Sequence, residues 1–104
     1  MEYTNPFECY EAIGKWLSNA VPEPWDRIEV YFEIIEMDDV WEDCIVYFPK
    51  KSPLIEKQFF IDDFDFTDCF YQLARLTSEE GKGFFKRCDF VLNNDGRYKV
   101  DFQY

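Results

Sequence analysis

The sequence contains no histidine, and that absence removes much of the chemistry by which proteins catalyse reactions near neutral pH. Histidine is the commonest general base at this pH and the usual partner of a serine or cysteine nucleophile. The four cysteines are widely separated and form no CxxC pair, so an ordinary zinc site is excluded as well. The sequence therefore favours a protein that is not an enzyme and that holds no metal or cofactor.

Basic residues are scarce, because 11 Lys and Arg stand against 22 Asp and Glu and give a net charge of −11. A surface that binds phosphate groups needs the opposite sign, so we expect neither direct nucleic-acid binding nor attraction to anionic lipid. No apolar run is long enough to span a membrane, and no N-terminal segment has the pattern of a secretory signal. We therefore expect a soluble, cytoplasmic protein.

The cysteines are expected to be reduced in that compartment. Each lies among apolar residues, where cysteine behaves as a small buried hydrophobe. The sequence predicts four buried thiols without disulfides: Cys9, Cys44, Cys69 and Cys88.

Apolar side chains are abundant, at 47% of the chain, and aromatic residues make up 21%. That is enough for one hydrophobic core, so residues 1–104 are predicted to form a single domain. Asn5, Pro6 and Glu8 form a capping-box pattern that predicts the start of a first helix. A second helical stripe begins near residue 66, and either Asp65 or Thr67 is predicted to cap that helix.

Period-two alternation predicts five strands. The first two cover 27–35 and 43–49 around a polar turn at 37–42, the third covers 56–61, and the last two cover 87–92 and 98–104. The order α-β-β-β-α-β-β predicts an α+β fold, with a five-stranded, mostly antiparallel sheet and both helices on one face. The open face is predicted to be aromatic and acidic, and to carry Tyr31, Tyr47, Lys99, Asp101 and Gln103.

Carboxylates are concentrated in two clusters. The first lies between residues 33 and 43 without one base, and the second lies at 62–68. Trp41 in the first cluster is either an interface anchor or a ring that folds back onto the sheet. A charge run is commonly just a solvated face. The functional interpretation predicts that a partner binds Glu36, Asp38, Asp39, Trp41, Glu42, Asp43, Asp62 and Asp63.

One short segment resembles a catalytic motif. Asp63-Phe64-Asp65-Phe66-Thr67 superficially matches the nucleophile loop of haloacid dehalogenase-type phosphatases. Such a loop needs a parallel α/β sheet and further catalytic residues downstream, whereas the rest of this chain predicts a helix and a hairpin. The preferred interpretation is that these residues begin the second helix and favour its positive end.

Taken whole, the layout resembles the YezG-like family of immunity proteins. The resemblance covers a helix that ends in Val21-Pro22-Glu23-Pro24-Trp25, the strand Ile28-Glu29-Val30-Tyr31-Phe32-Glu33, and a closing hairpin from Asn94 whose last strand ends in Asp101-Phe102-Gln103-Tyr104. Members of this family are antitoxins encoded beside polymorphic secreted toxins, such as those of contact-dependent inhibition and type VII systems.

The resemblance implies that this chain binds and neutralises a cognate toxin domain, often a nuclease. The sequence leaves the oligomeric state open, and a monomer in the complex is the favoured prediction. An acidic protein is suited to the basic cleft that a nuclease presents to phosphate. Two other functions remain open: an acidic mimic of nucleic acid that inhibits a DNA- or RNA-binding protein, and a small acidic scaffold subunit. A metal-dependent hydrolase ranks last.

Overall fold

A computed structural model of the chain describes residues 2–35, 40–78 and 83–104. Its elements follow the predicted order: α1 (Pro6–Ala20), β1 (Trp25–Ile35), β2 (Val40–Pro49), β3 (Lys57–Phe59), α2 (Phe64–Thr77), β4 (Arg87–Asn93) and β5 (Tyr98–Gln103). The strands form one antiparallel sheet in the order β3-β2-β1-β4-β5. The predicted α+β fold is therefore confirmed.

Both helices pack on one face of the sheet, as predicted. The central strand β1 buries Ile28, Val30 and Phe32 beneath them. The Phe32 ring stacks on Phe70 of α2, with the ring centroids 4.9 Å apart. Trp16 of α1 meets Phe66 of α2 edge to face at 6.2 Å. The two helices therefore share a single core with the sheet.

The first hairpin is longer than the sequence predicted. Ile34 pairs with Trp41 and Ile35 with Val40, so residues 40–42 belong to β2 and not to a turn. β3 is shorter than predicted, since it covers only Lys57–Phe59. The remainder of the predicted turn, at 37–39, lies outside the described residues.

The register of β2 reverses the face that the sequence analysis assigned to Tyr47. Ile45 lies opposite Val30 and Tyr47 opposite Ile28, so both reach the helix face. Cys44 and Val46 consequently lie on the open face. The assignment was wrong because both alternating sets of β2 are largely apolar, and a shift of one residue moves every side chain to the other face.

The open face carries charges that pair along three of its strands, β1, β4 and β5. Arg27 contacts Glu29 at 2.7 Å, Arg87 contacts Asp89 at 3.0 Å and Lys99 contacts Asp101 at 3.8 Å. Arg87 also lies over the Tyr31 ring at 4.2 Å, and Arg27 covers Phe48 at 3.7 Å. These pairs are exposed or partly exposed, so they add little stability.

The capping residue predicted from the sequence is confirmed for α1 but not for α2. The Asn5 side chain accepts the Glu8 N–H at 3.1 Å, which confirms the first cap. The second cap is Asp63, whose Oδ1 accepts the Asp65 N–H at 2.9 Å. The prediction of Asp65 or Thr67 was wrong, because α2 begins at Phe64 and both residues are already helical.

Three cysteines are buried as predicted, namely Cys9, Cys69 and Cys88, and none of the four is in a disulfide. Burial raises the pKa of the Cys9 and Cys88 thiols to about 12. Cys44 is partly exposed, which contradicts the prediction for that residue. The β2 register explains the difference, since it places Cys44 on the uncovered face of the sheet.

Within the described ranges, no helix is both long and apolar enough to cross a membrane.

The Asp63 cap is testable by two substitutions. Asp63→Ala should lower the free energy of unfolding by about 1 kcal/mol, because it leaves an orphan amide at the start of α2. Asp63→Asn should cost much less, since an amide oxygen also caps. Urea unfolding of both variants measures the difference, and equal losses would contradict the assignment.

Native thiol labelling tests the placement of the cysteines. We expect an alkylating reagent to modify one thiol per folded molecule and the other three only in denaturant, because only Cys44 is accessible. Mass spectrometry counts the labels, and Cys44→Ser should abolish native labelling. Labelling that persists in Cys44→Ser would show that the core thiols are accessible.

Candidate partner-binding surface

The predicted partner-binding residues do not form one patch. Trp41 and Asp43 lie on the helix face of β2, whereas Glu42 between them lies on the open face opposite Glu33. The described members of the first acidic cluster are therefore divided between the two faces of the sheet. Three further predicted residues lie outside the described residues: Glu36, Asp38 and Asp39.

Glu42 belongs to a separate acidic spot at the end of the open face. Its partner across the strands is Glu33, and Glu33 lies opposite Arg87 on its other side. Like charges directly opposite each other destabilise a sheet slightly. The pKa of the nearby Tyr31 hydroxyl is raised, mainly by the charge of Glu42.

Trp41 folds back onto the helix layer and yet remains accessible. Its ring meets Tyr71 of α2 edge to face, with centroids 5.4 Å apart, and Tyr71 in turn meets Phe32 at 5.5 Å. Aromatic pairs of this kind contribute about 0.5–1.5 kcal/mol beyond burial. Because the residue is still 39% exposed, the contact with α2 holds an accessible ring in a defined position.

Asp43 is a carboxylate in a partly apolar setting. It pairs in register with Phe32, and it borders a cleft of about 150 Å³ together with Ile45, Phe59 and Phe60. Burial raises the pKa of the Asp43 carboxyl. Among the described residues no base forms an ion pair with it. A cation that approached this cleft would therefore find a poorly solvated negative charge.

The segment between β3 and α2 adds exposed aromatic rings to these acids. Phe60 is 74% exposed and Phe64 is 68% exposed, while Asp62 and Asp63 between them are also exposed. Phe60 reaches the same cleft as Asp43, so this segment adjoins β2. Exposed aromatic rings with polar groups around them are typical of surfaces that bind other proteins.

Sequence reasoning missed Phe60 and Phe64. Phe60 was placed inside the predicted third strand, but β3 ends at Phe59. Phe64 does carry a signal in the sequence, because it is out of phase with the buried stripe of α2 that includes Phe66, Phe70 and Leu73. A ring at a helical position off the buried stripe points toward solvent.

We define the acidic-aromatic surface as Trp41, Asp43, Phe60, Asp62, Asp63 and Phe64. Tyr71, which holds Trp41, follows Asp63 by eight residues in α2. At a rise of 1.5 Å per residue, Asp63 and Tyr71 are about 12 Å apart along the helix axis. That span fits within one standard protein interface, which covers about 800 Å² on each partner.

A larger cleft, of about 520 Å³, lies elsewhere, along α1. Its lining includes Tyr3, Glu8, Ala12 and Trp16. The Glu8 carboxylate already has a structural role, since hydrogen bonds from Thr4 lower its pKa and hold it at the start of α1. This cleft is not part of the acidic-aromatic surface.

The structure gives the phosphatase-like residues Asp63 to Thr67 positions in α2 and its cap, next to an antiparallel sheet. Asp63 caps α2, Asp65 lies in its first turn, and Thr67 is buried. The sheet beside them is antiparallel, whereas the nucleophile loop follows a parallel strand. In the part of the chain that the structure describes, no group of three or more His, Cys, Asp or Glu residues could hold a metal ion.

Comparison with known proteins adds no identification. No model of a known protein family matches the chain, and a search of curated proteins finds no match either. The resemblance to the YezG-like immunity proteins therefore stays a prediction.

The raised pKa of Asp43 predicts how Asp43→Asn changes stability with pH. Above the native pKa the carboxylate is charged in a poorly solvated site, so the amide variant should be the more stable protein. Below the unfolded pKa, near 3.8, both proteins are uncharged here and the difference should disappear. The stability gain should therefore grow as the pH rises from about 4 to about 7.

Urea unfolding across that pH range measures the gain. Asp62→Asn is the matched control, because it removes an exposed carboxylate, and it should change the free energy of unfolding by no more than about 0.5 kcal/mol. An Asp43→Asn variant less stable than the native protein at neutral pH would mean that the carboxylate has a stabilising partner.

Proposed function

We propose that this chain is a protein-binding domain that neutralises a basic partner, in the manner of an immunity protein and its cognate toxin domain. The observation that supports this function is the acidic-aromatic surface. Its rings are exposed in the free protein, and its carboxylates have no ion-pair partner among the described residues. A basic partner that buried the rings would also bring its bases to those acids.

The distribution of arginines keeps this surface negative. Arg27, Arg87 and Arg97 each pair with an acid close by in the chain, and the Arg75 side chain donates to the Tyr3 carbonyl oxygen at 3.3 Å. None of these contacts neutralises Asp62 or Asp63. In a chain of net charge −11, the unpaired carboxylates would steer a basic partner and raise its association rate.

The aromatic rings would supply most of the binding energy once the partners meet. A few aromatic or arginine residues usually dominate an interface, and they lie in its water-free centre. Phe60 and Phe64 flank the two aspartates, while Trp41 is held against α2 at the other end of the surface. The aspartates would then form the charged rim that selects a partner of positive sign.

The resemblance to the YezG-like family suggests which basic partner this is. A toxin domain with nuclease activity must present a positive cleft to its substrate, and an acidic protein bound there excludes the nucleic acid. Complexes between nucleases and immunity proteins are among the tightest known. The proposed mechanism is thus the physical occlusion of a basic cleft.

Co-expression tests the proposal at the level of function. The C-terminal domain of the protein encoded immediately upstream should arrest growth of a bacterial host when produced alone, and this chain should restore growth. The purified proteins should form a complex. A toxic domain that gains no protection and shows no complex with this chain would overturn the immunity role.

Binding measurements test the surface itself. Phe60→Ala combined with Phe64→Ala should weaken the complex by about 2 kcal/mol or more, or roughly thirtyfold, because both rings are exposed until the partner covers them. Phe7→Ala is the matched control, since Phe7 is 70% exposed but lies on α1, beside the opposite edge of the sheet. Equal affinities for both variants would place the contact elsewhere.

Charge is tested separately with Asp62→Asn combined with Asp63→Asn. This pair removes two charges and keeps a capping side chain at residue 63. We expect a slower association and a weaker salt dependence, with a smaller effect on dissociation. An unchanged salt dependence would remove these two aspartates from the interface.

A further inference from the structure

The two edges of the sheet are not alike. β3 forms one edge and is only three residues long, which is one of the ways in which proteins keep a sheet edge from pairing. β5 forms the other edge with six residues, and its register against β4 runs without a shift. It contains no proline, and no further strand lies beyond it among the described residues. β5 is therefore an edge that another strand could join.

The hydrogen-bond phase of β5 shows which of its amides face outward. The Asn93 N–H donates to the Arg97 carbonyl oxygen at 2.8 Å, so residues 93 and 97 form a bonded pair. Bonded pairs recur at every second residue of an antiparallel ladder, so the backbone N–H and C=O groups of Lys99 and Asp101 also bond to β4. The backbone groups of the alternate residues, Tyr98, Val100 and Phe102, consequently point toward the free edge.

The sequence of β5 is complementary to itself about Val100. When two copies are placed antiparallel with Val100 opposite Val100, Lys99 lies opposite Asp101 of the second copy, and the reverse pair forms as well. Tyr98 then lies opposite Phe102 of the second copy on the helix side. In this register the residues whose backbone groups point outward in one copy lie opposite those of the other copy. Their N–H and C=O groups can therefore form hydrogen bonds between the two strands.

Neighbouring registers lack this complementarity. Only a shift of two residues in the pairing keeps the outward amides of one copy opposite the outward backbone groups of the other. The nearest alternatives therefore place Lys99 opposite Lys99 or Asp101 opposite Asp101. Both put like charges face to face, which destabilises a strand pair. The charges and the hydrogen-bond phase thus select the same single arrangement.

Exposed aromatic rings line the helix side of this edge. Phe7 of α1 is 70% exposed, and it contacts Tyr10, which contacts Tyr98 of β5 at 5.7 Å. Tyr98 is 37% exposed and Tyr104 at the end of the strand is 45% exposed. A second copy paired along β5 would bring apolar surface to these rings as well as a new row of hydrogen bonds.

We propose that β5 pairs antiparallel with β5 of a second copy, centred on Val100, to form a continuous ten-stranded sheet. The acidic-aromatic surface lies toward the opposite edge, so each copy in the dimer keeps it open. The interface is small, and both copies are acidic, so the dimer is weak and is strengthened by salt that screens the net charge.

Charge exchange across the interface tests this register. Sedimentation equilibrium from about 5 μM to about 500 μM, a range that brackets weak interfaces, should show a monomer–dimer equilibrium. Lys99→Asp and Asp101→Lys alone should each weaken association about tenfold, because each creates two like-charge pairs per dimer. The double variant Lys99→Asp/Asp101→Lys should restore the native affinity.

Asp101→Lys is the most informative single change. This substitution lowers the net negative charge of each copy, and that change by itself would favour association. A weaker dimer must therefore come from the repulsion between the lysine introduced at position 101 of one copy and Lys99 of the other. Val100→Pro should abolish association while it keeps the β4 ladder, since the amide that it removes points outward. Circular dichroism and cooperative unfolding check that each variant is folded.

Amide exchange locates the contact. The outward amides of Tyr98, Val100 and Phe102 should exchange more slowly as the protein concentration rises, whereas the Lys99 and Asp101 amides, already bonded to β4, should not change. A protein that stays monomeric over the whole range would overturn the proposal. So would a dimer that the single charge variants leave unchanged.

Discussion

The pairing of β1 with β2 places Val30 opposite Ile45, and most of the surface described above depends on that register. Because side chains alternate between the faces of a sheet, this one pairing sends Tyr47, Asp43 and Trp41 toward the helices. It also leaves Cys44 and Val46 uncovered. The register is held by the core of β1, where Phe32 lies against Phe70 and Tyr71 of α2.

The same packing explains why acids and aromatic rings meet at one side of the molecule. Phe66 and Phe70 bury one side of α2, and the helix begins at Phe64 with its cap on Asp63. The short connection from β3 then brings Phe60 to the cleft beside Asp43 of β2. The core thus positions the acidic-aromatic surface, although none of its residues is fully buried.

The two edges of the sheet suit different kinds of contact. On the β3 side, carboxylates without a base partner among the described residues and exposed rings favour a partner of opposite charge. On the β5 side, one base and one acid alternate with apolar residues, so the strand complements a copy of itself. Since β1 and β4 lie between β2 and β5 in the sheet, one surface can be occupied without blocking the other. A dimer would present two partner surfaces on one assembly.

Much of the architecture could be predicted from the sequence because it depends on local rules. The Asn5 cap, the period of two in β1 and the Asp-Gly turn at Asn93–Gly96 determine where elements begin and end. The absence of histidine and the excess of carboxylates likewise follow from composition alone. These features need no knowledge of what packs against them.

Only the tertiary structure decided which face the side chains of β2 take. In β2 the two alternating sets are almost equally apolar, so the sequence could not place Tyr47 or Cys44, and the contact of β1 with α2 had to choose. The cap of α2 was likewise visible only in the structure, because several neighbouring aspartates and a threonine could have capped the helix and the Asp63 side chain is the one that accepts the Asp65 N–H. The partner surface combines residues from β2 and from the segment before α2, and such long-range neighbours are set by packing rather than by spacing in the chain.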